Sequence, residues 1–442
     1  MDIKVSILVP VYNVEDFLRE CLDSLVSQTL TDIEIICIND GSTDDSLSIL
    51  KEYANMDPRI KVISKHNTGY GNTMNIGLEY AKGEYIGIVE SDDFISPNMY
   101  EVLYFKAKKN ALDFVKSNYY KYETNGKIEK DSSLSIVGYD FIMDPKKYNI
   151  FDILCIAHWS GLYNREFLIK NNVKFSDTPG ASYQDVSFLY LVYLYAKRVM
   201  FIEDAFLYYR IDNVNSSVKS KEKVFYIIKE FQRIWDCYEK ENEVNLLKRM
   251  CPLKFKHFMG HLSRMDCLYQ YAFLIKIRDF IMEDKQKGLL VQNYWNKECW
   301  NDMNLLIDDL DKFFKTHCSD YINRYSIADF VQNETIKQEA ICNYIKNSKK
   351  VCIYGAGVYA RSIIQELSNL HSVDFFVVGE EKDVGKQIDN IPVKALSEVR
   401  PSDDLLVVVA LKKSVQSEVV KYLYSEGYKN LLVVNGKSLQ NM

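Results

Sequence analysis

Cys-x-x-Cys pairs are missing from this sequence, although ten cysteines are spread along its 442 residues. Their absence excludes a zinc ribbon and a dithiol redox motif, and leaves the scattered thiols of a reduced chain. Proline and glycine are scarce, at 8 and 18 residues, which excludes collagen-like and low-complexity architectures. Long hydrophobic runs are also missing. The longest, Leu405 to Leu411, falls far short of the roughly 20 residues needed to span a bilayer. Met1 and Asp2 lead straight into an apolar strand pattern, without the basic region or cleavage site of a secretory leader. Nor does one sign of charge dominate: 55 basic against 61 acidic side chains leaves −6, which argues against a nucleic-acid partner. What remains is an ordinary globular composition, 47% hydrophobic, on a chain long enough for about two to four domains. A soluble, cytoplasmic protein is expected, with peripheral contact on the inner face of the cell membrane left open.

The first 120 residues alternate strand and helix signals. Val5 to Pro10 is a continuous apolar run of strand length, suited to a parallel strand buried on both faces. Phe17, Leu18, Cys21, Leu22, Leu25 and Val26 then repeat at helical spacing. Ile33 to Ile38, Ile60 to Ser64 and Tyr85 to Val89 are further strands, with a helix predicted around Met74 to Ala81. This pitch predicts βαβ units. From about 216 to 345 the strand signals stop and the sequence reads as helical. A second α/β pattern begins at Lys350, giving expected domains at 1–218, 219–347 and 348–442.

Asp40, Asp92 and Asp93 each follow the carboxyl end of a predicted parallel strand, the edge where open α/β sheets bind ligands. Carboxylates converging there repel one another unless a cation joins them, and hard oxygen ligands suit Mg²⁺ or Mn²⁺ on the phosphates of a nucleotide. Glu90 and Asp92, two residues apart in extended chain, point the same way. A solvated acidic turn is the other reading of Glu90-Ser91-Asp92-Asp93.

Seven stretches carry a resemblance. Ile7-Leu8-Val9-Pro10-Val11-Tyr12-Asn13 is followed by Ile38-Asn39-Asp40-Gly41-Ser42-Thr43-Asp44, then by Asn75-Ile76-Gly77-Leu78 with Ala81-Lys82-Gly83-Glu84-Tyr85-Ile86. Ser91-Asp92-Asp93, Tyr183-Gln184-Asp185-Val186-Ser187-Phe188 and Leu207-Tyr208-Tyr209-Arg210 complete the series. In this order and spacing they resemble family 2 glycosyltransferases over about residues 3 to 218. The resemblance implies an α/β protein with an N-terminal GT-A domain (a Rossmann-like mixed sheet), transferring a sugar from a nucleotide-diphosphate donor, a UDP-sugar, with inversion. Such a bacterial surface-polysaccharide enzyme would act on a glycan or lipid-linked acceptor, and a homo-oligomer is compatible with it. Carried over by position, the donor would meet Pro10, Tyr12, Asn13, Asp40, Asn67, Asp92 and Arg210. Asp92 and Asp93, with Glu90, would hold Mn²⁺ or Mg²⁺, and Asp185 would be the general base. His158, Trp159 and Gln184 would line the sugar or acceptor pocket, although His158 and Trp159 also read as buried core. The chain departs from the family pattern at Glu90, where Asp is usual, at Gln184, where Glu is usual, and at Met74, where Arg is frequent; Lys65 or His66 would have to replace that Arg.

The helical middle contains a basic, aromatic stretch, Lys248, Arg249, Lys254, Phe255, Lys256, His257, Phe258 and Arg264. It reads either as a face for anionic lipid or as an ordinary helical surface. In the tail, Gly355-Ala356-Gly357 follows a strand and opens a helix, the pattern of a phosphate turn, with Glu380 or Glu381 as a loosely placed acidic partner. That tail resembles the small Rossmann-like half of bacterial sugar acyltransferases, which implies a second nucleotide site at Gly355 and Gly357 or a module kept for assembly. Two rival functions stay open, a sugar-phosphate nucleotidyltransferase and a nucleotide-sugar sensor or scaffold on an inactive transferase fold. The first would need a Gly-rich basic loop where Pro10-Val11-Tyr12-Asn13 stands.

Overall fold

The computed structural model describes residues 2–148, 150, 157–178, 180–181, 183–213, 225–262, 267–317, 345–346 and most of 348–433. It divides into two compact units, Met1–Lys254 with Leu289–Tyr294, and Phe255–Gly288 with Trp295–Met442.

In the first unit the apolar runs become β1 (Val5–Val11) and β2 (Ile33–Asn39), buried at every position. They pair in parallel with β3 (Ile60–Ser64) beyond β2 and β4 (Tyr85–Ile88) beside β1. Strands buried on both faces require helices as cover, which α1 (Glu15–Val26), α2 (Ser46–Met56) and α3 (Tyr70–Tyr80) supply. On α1 the buried set is Leu18, Cys21, Leu22 and Leu25, each leucine worth about 1.5–3 kcal/mol in removed apolar surface. The helix expected around Met74 starts earlier, at Tyr70, because Gly69 at φ +90 turns the chain into it.

One polar residue interrupts this core. Glu34 on β2 is buried, yet it accepts from Ser6 Oγ at 2.5 Å, Lys61 Nζ at 2.5 Å and the Lys82 amide at 2.7 Å. A buried carboxylate is tolerable only when bonded in this way.

Beyond β4 the sheet turns mixed. β8 (Gly161–Asn164) runs antiparallel to β4, and β6 (Phe114–Tyr122) runs antiparallel to β8. β9 (Val199–Arg210) lies parallel to β6, while β5 (Phe94–Ile95) closes the path and β7 (Ile128–Asp131) pairs with β6. The order is β3-β2-β1-β4-β8-β6-β9-β5. α4 (Met99–Lys109), α5 (Arg165–Lys170), α6 (Gln184–Tyr195) and α7 (Tyr226–Lys240) complete the described helices wholly within this unit. The division into units falls inside α8 (Val244–Leu262).

The second unit contains α9 (Cys267–Gln286), α10 (Lys297–Asp308) and α11 (Leu310–His317), followed by a smaller sheet. Its strands are β10 (Lys350–Tyr354), β11 (Phe375–Val378), β12 (Gln387–Ile388), β13 (Ile391–Ala395), β14 (Leu405–Val409) and β15 (Leu431–Val433), in the order β12-β13-β11-β10-β14-β15. All its pairs are parallel except β12–β13, and α12 (Val358–Ser368) follows β10. A mixed N-terminal sheet, a helical middle and a small C-terminal α/β sheet are the architecture that the sequence implied. The expected boundaries at 218/219 and at Asn347 lie outside the described residues.

No helix among the described residues is long and apolar enough to cross a membrane. The basic, aromatic stretch is not one exposed face: Lys254, Phe255 and Phe258 are buried, and burial lowers the His257 pKa to about 4. Arg264 lies outside the described residues. Of the described cysteines, Cys21, Cys37, Cys251 and Cys352 are buried free thiols.

Candidate active site

The strand order places a topological switch point between β1 and β4, because β2 and β3 continue on one side of β1 and β4 begins the other. Such a point opens a crevice at the carboxyl ends of the strands. The β1–β4 ladder ends at Leu8–Ile88, so the two chains separate just before Tyr12-Asn13 on one side and Glu90 to Asp93 on the other. Tyr12 is 49% exposed, which is unusual for an aromatic beside so apolar a strand. Asn13, held at φ +51, joins this loop to the next: its Oδ1 accepts from the Thr43 amide at 2.8 Å, and its own amide donates to Ser42 Oγ at 3.1 Å. Asp40 is buried and organises the loop after β3. It accepts from the amides of Thr68 at 2.9 Å and Gly69 at 3.0 Å and pairs with Lys65 Nζ. Three of its roughly four acceptor positions are thereby taken. Lys65, a candidate phosphate contact, is engaged there, and the Asn67 amide packs against Gly41, where a Cβ would stand 2.8 Å away.

The acidic segment is assembled tightly. Asp93 is buried, accepting the Arg210 amide at 2.8 Å on Oδ1, while its Oδ2 has no hydrogen-bond partner. Asp92 accepts from Asn213 Nδ2 at 2.8 Å. Burial raises the pKa of both carboxyls, with Glu90 adding to the rise at Asp92, and Asp92 and Glu90 adding to it at Asp93. Glu90 accepts from Tyr70 Oη at 2.6 Å, and His158 Nε2 lies 2.7 Å from that same oxygen and 3.2 Å from Glu90. A chain in which His158 Nε2 donates to Tyr70 and Tyr70 donates to Glu90 accounts for both short contacts, and burial keeps the Tyr70 phenol protonated by raising its pKa. The longer arm of Glu90, an apparent departure from the family pattern, is what meets Tyr70. His158 Nδ1 is buried without a partner.

Asp185 sits in the first turn of α6, preceded by Tyr183 in the left-handed region at φ +65. Enclosure raises its carboxyl above the ordinary range, His158 and the Val186 amide pull it back, and Glu90 adds to the rise. The base candidate is therefore within electrostatic reach of the Glu90–His158 pair. Gln184 explains itself geometrically: Nε2 donates to the carbonyls of Thr178 at 2.9 Å and Gly180 at 3.0 Å, which a glutamate could not do.

Other candidates are built into the walls. Trp159 is buried, stacked on Tyr209 at 5.1 Å and met edge-on by Tyr119 at 4.7 Å. Arg210 lies between the rings of Phe17 at 4.8 Å and Tyr122 at 4.9 Å, and donates to Glu20 at 2.5 Å and to the Asp92 carbonyl at 3.0 Å. It fixes the acidic turn from behind. Pro10 lies within β1, opposite Ile38. Met74 is fully buried in the core. In the second unit Gly355, at φ +107, leaves a Cβ only 3.0 Å from Leu411, while Gly357 faces open space. Glu380 and Glu381 lie outside the described residues. Tyr70 and Lys116 escaped sequence reasoning. The Tyr70 signal was a polar loop with no motif, and Lys116, buried beneath Ala157 and Ser160, sits in a strand whose alternation is masked by aromatics.

Among the described residues no group of three or more His, Cys, Asp or Glu side chains is arranged to hold a metal ion. The residues still fit a divalent cation held by one or two carboxylates and completed by substrate phosphates and water, the usual manner of Mg²⁺. The donor set is hard oxygen, its members repel one another, and Asp93 Oδ2 is unsatisfied.

Comparison with known proteins bears on the site. The family described as "Glycosyl transferase family 2" matches residues 6–170. The uncharacterized glycosyltransferase EpsJ of Bacillus subtilis is 36% identical over 215 residues, covering 48% of this chain and 62% of EpsJ. Glycosyltransferase GlyG of Streptococcus pneumoniae is 34% identical over 218 residues, covering 47% of this chain and 70% of GlyG. The chain thus spans less than two thirds of EpsJ. Among solved structures, S. aureus TarS 1-349 in complex with UDP superposes with a TM-score of 0.56 at 21% identity, over 74% of this chain and 94% of that one. The same TarS fragment has also been solved with UDP-GlcNAc, at TM-score 0.55 and 20% identity over 74% of this chain and 95% of that one.

Proposed function

The chain belongs to glycosyl transferase family 2, and on that premise we propose that it transfers a sugar from a UDP-sugar to a hydroxyl of a glycan or lipid-linked acceptor, with inversion. The observation that carries the reading is the acidic turn at the carboxyl end of β4, at the sheet's switch point, with Asp185 electrostatically coupled to it. TarS supports the choice of donor, since that protein was solved with UDP and UDP-GlcNAc.

In this mechanism the exposed face of Tyr12 receives the base, and the loops fixed by Asn13 and Asp40 enclose the nucleoside. Asp92, with Asp93 behind it, would hold Mn²⁺ or Mg²⁺ against the diphosphate. The ion, when bound, supplies positive charge that stabilises the leaving group. Asp185 takes the proton of the acceptor hydroxyl as its oxygen bonds to the anomeric carbon. The bond from that carbon to the phosphate oxygen breaks on the opposite face, and UDP departs with the electron pair. A raised pKa makes Asp185 a better proton acceptor than an ordinary carboxylate.

The test is a panel of nucleotide sugars, assayed for release of the nucleoside diphosphate with and without Mn²⁺. Metal-dependent release from a UDP-sugar is expected. No release from any donor would overturn the reading and favour a sensor or scaffold.

A further inference from the structure

Glu230 stands on α7, beyond every motif of the sequence, and is wholly buried. A buried carboxylate needs partners, and three hydroxyls supply them. Ser176 and Thr178 donate to Oε1, Thr178 at 3.1 Å, and Ser187 donates to Oε2. Burial lifts its pKa, while those hydroxyls and Arg233 oppose the rise. Arg233, nearly one turn further on, donates to Ser187 Oγ at 3.1 Å and to the Lys174 carbonyl at 2.7 Å. Segment 174–178 and helix α6 are therefore both fastened to α7.

That segment holds the two halves of the site together. Its Phe175 exchanges a pair of 3.0 Å bonds with Asn75 of α3. The carbonyls of Thr178 and Gly180 hold Gln184, and the Gly180 carbonyl also accepts the Tyr70 amide at 3.0 Å. Tyr70 carries Glu90 on one side, and Asp185 follows Gln184 on the other. Tyr183 between them has the positive φ that a bulky residue keeps only where its surroundings enforce it.

We propose that Glu230 is a positioning residue: through Ser176, Thr178 and Ser187 it fixes residues 174–178 and the start of α6, and so sets Asp185 relative to the Tyr70–Glu90–His158 cluster. The inference rests on Asp185 being the base. Its mechanical half, that Glu230 holds the segment, does not.

The experiment uses the full chain with Glu230→Gln and, separately, Thr178→Val, an isostere that removes one hydroxyl and keeps the carboxylate. The second variant carries the test if the first does not fold. Amide hydrogen exchange is followed at Tyr70 and over 174–187, and kcat and KM are measured with UDP-GlcNAc as the probe donor. Exchange there should rise about tenfold in Glu230→Gln and less in Thr178→Val. The kcat should fall by about tenfold and threefold respectively, with donor KM within about twofold, because alignment and not donor binding is disturbed. Unchanged exchange, or a loss confined to KM, overturns the proposal. If the wild-type chain turns over no nucleotide sugar, the functional reading fails, and the exchange measurement still decides whether Glu230 fixes the segment.

Discussion

Replacing Gly71 by alanine should cripple the site while sparing the fold. Gly71 lies in the first turn of α3, where alanine is intrinsically favoured by up to about 1 kcal/mol. Its added Cβ, however, would stand 1.7 Å from the Ser176 carbonyl oxygen, and real Cβ contacts do not fall below 3.0 Å. The obstacle is backbone, which cannot rotate aside, so the loop must retreat by at least about 1.3 Å. Overpacking of this kind costs about 1–3 kcal/mol, part of it offset by helix propensity. The retreating loop is the one whose carbonyls hold Gln184 beside Asp185, and about 1 Å of misplacement is worth roughly 10² in rate. A thermal melt should therefore move little while kcat collapses. Gly77→Ala on the same helix is the control. The nearest atoms its Cβ would meet are methyl groups of Ile38 and Leu8 at 3.1 and 3.2 Å, side-chain ends that can shift more readily than a backbone carbonyl. Near-normal turnover in Gly71→Ala would refute the packing on which the argument depends.

Asp185→Asn should lower turnover by about 10²–10⁴ with little change in donor binding. Because the Asp185 pKa is raised in the folded state, its stabilising contribution is present only at acid pH and is lost as pH rises through the folded value. The Asn variant should thus melt higher than wild type near neutrality and lose that advantage in acid. By the same shift, the acid limb of kcat/KM in the wild type should lie above the usual carboxylate range, and a limb at the ordinary position would contradict it. EDTA should abolish donor turnover and Mn²⁺ or Mg²⁺ restore it; full activity in chelator would remove the cation from the mechanism. Tyr12→Ala should raise donor KM about tenfold at near-constant kcat, the scale of one lost base stack, and a kcat effect alone would place Tyr12 elsewhere.

The parallel half of the first sheet was legible because strands buried on both faces leave unbroken apolar runs. Ile60–Ser64 has the expected bounds, and β1 and β2 each extend one residue further. The antiparallel half was harder to read. β6 is FVKSNYYKY, in which Lys116 and Asn118 are buried and the exposed-side alternation is lost. Residues whose type the proposed chemistry would constrain, Asp92, Asp93 and Asp185, stand out in the sequence by motif. Tyr70, Asn213 and Glu230 do not stand out, because the partners they bond are distant in sequence. Glu230 is the plainest case. A lone glutamate on an amphipathic helix looks solvated, and only the fold reveals Ser176, Thr178 and Ser187 around it. Arg210 shows the converse: a motif arginine read as a donor contact lies stacked between two rings.

The antiparallel seam between β4 and β8 has a practical consequence. Residues assigned to the donor lie mainly before it in the chain, and the base lies after it. The seam itself joins Tyr85 to Asn164, Ile86 to Tyr163 and Gly87 to Leu162 through main-chain bonds that do not depend on side-chain identity. Two side-chain constraints guard it: a Cβ on Gly87 would enter the ring of Tyr100, and one on Gly161 the ring of Phe114. A chimera joined at this seam has to keep both glycines and their aromatic partners, together with the contacts Asn75–Phe175, Tyr70–His158 and Arg210–Asp93 that cross it. Donor choice and acceptor choice should then be inherited separately, from different parents.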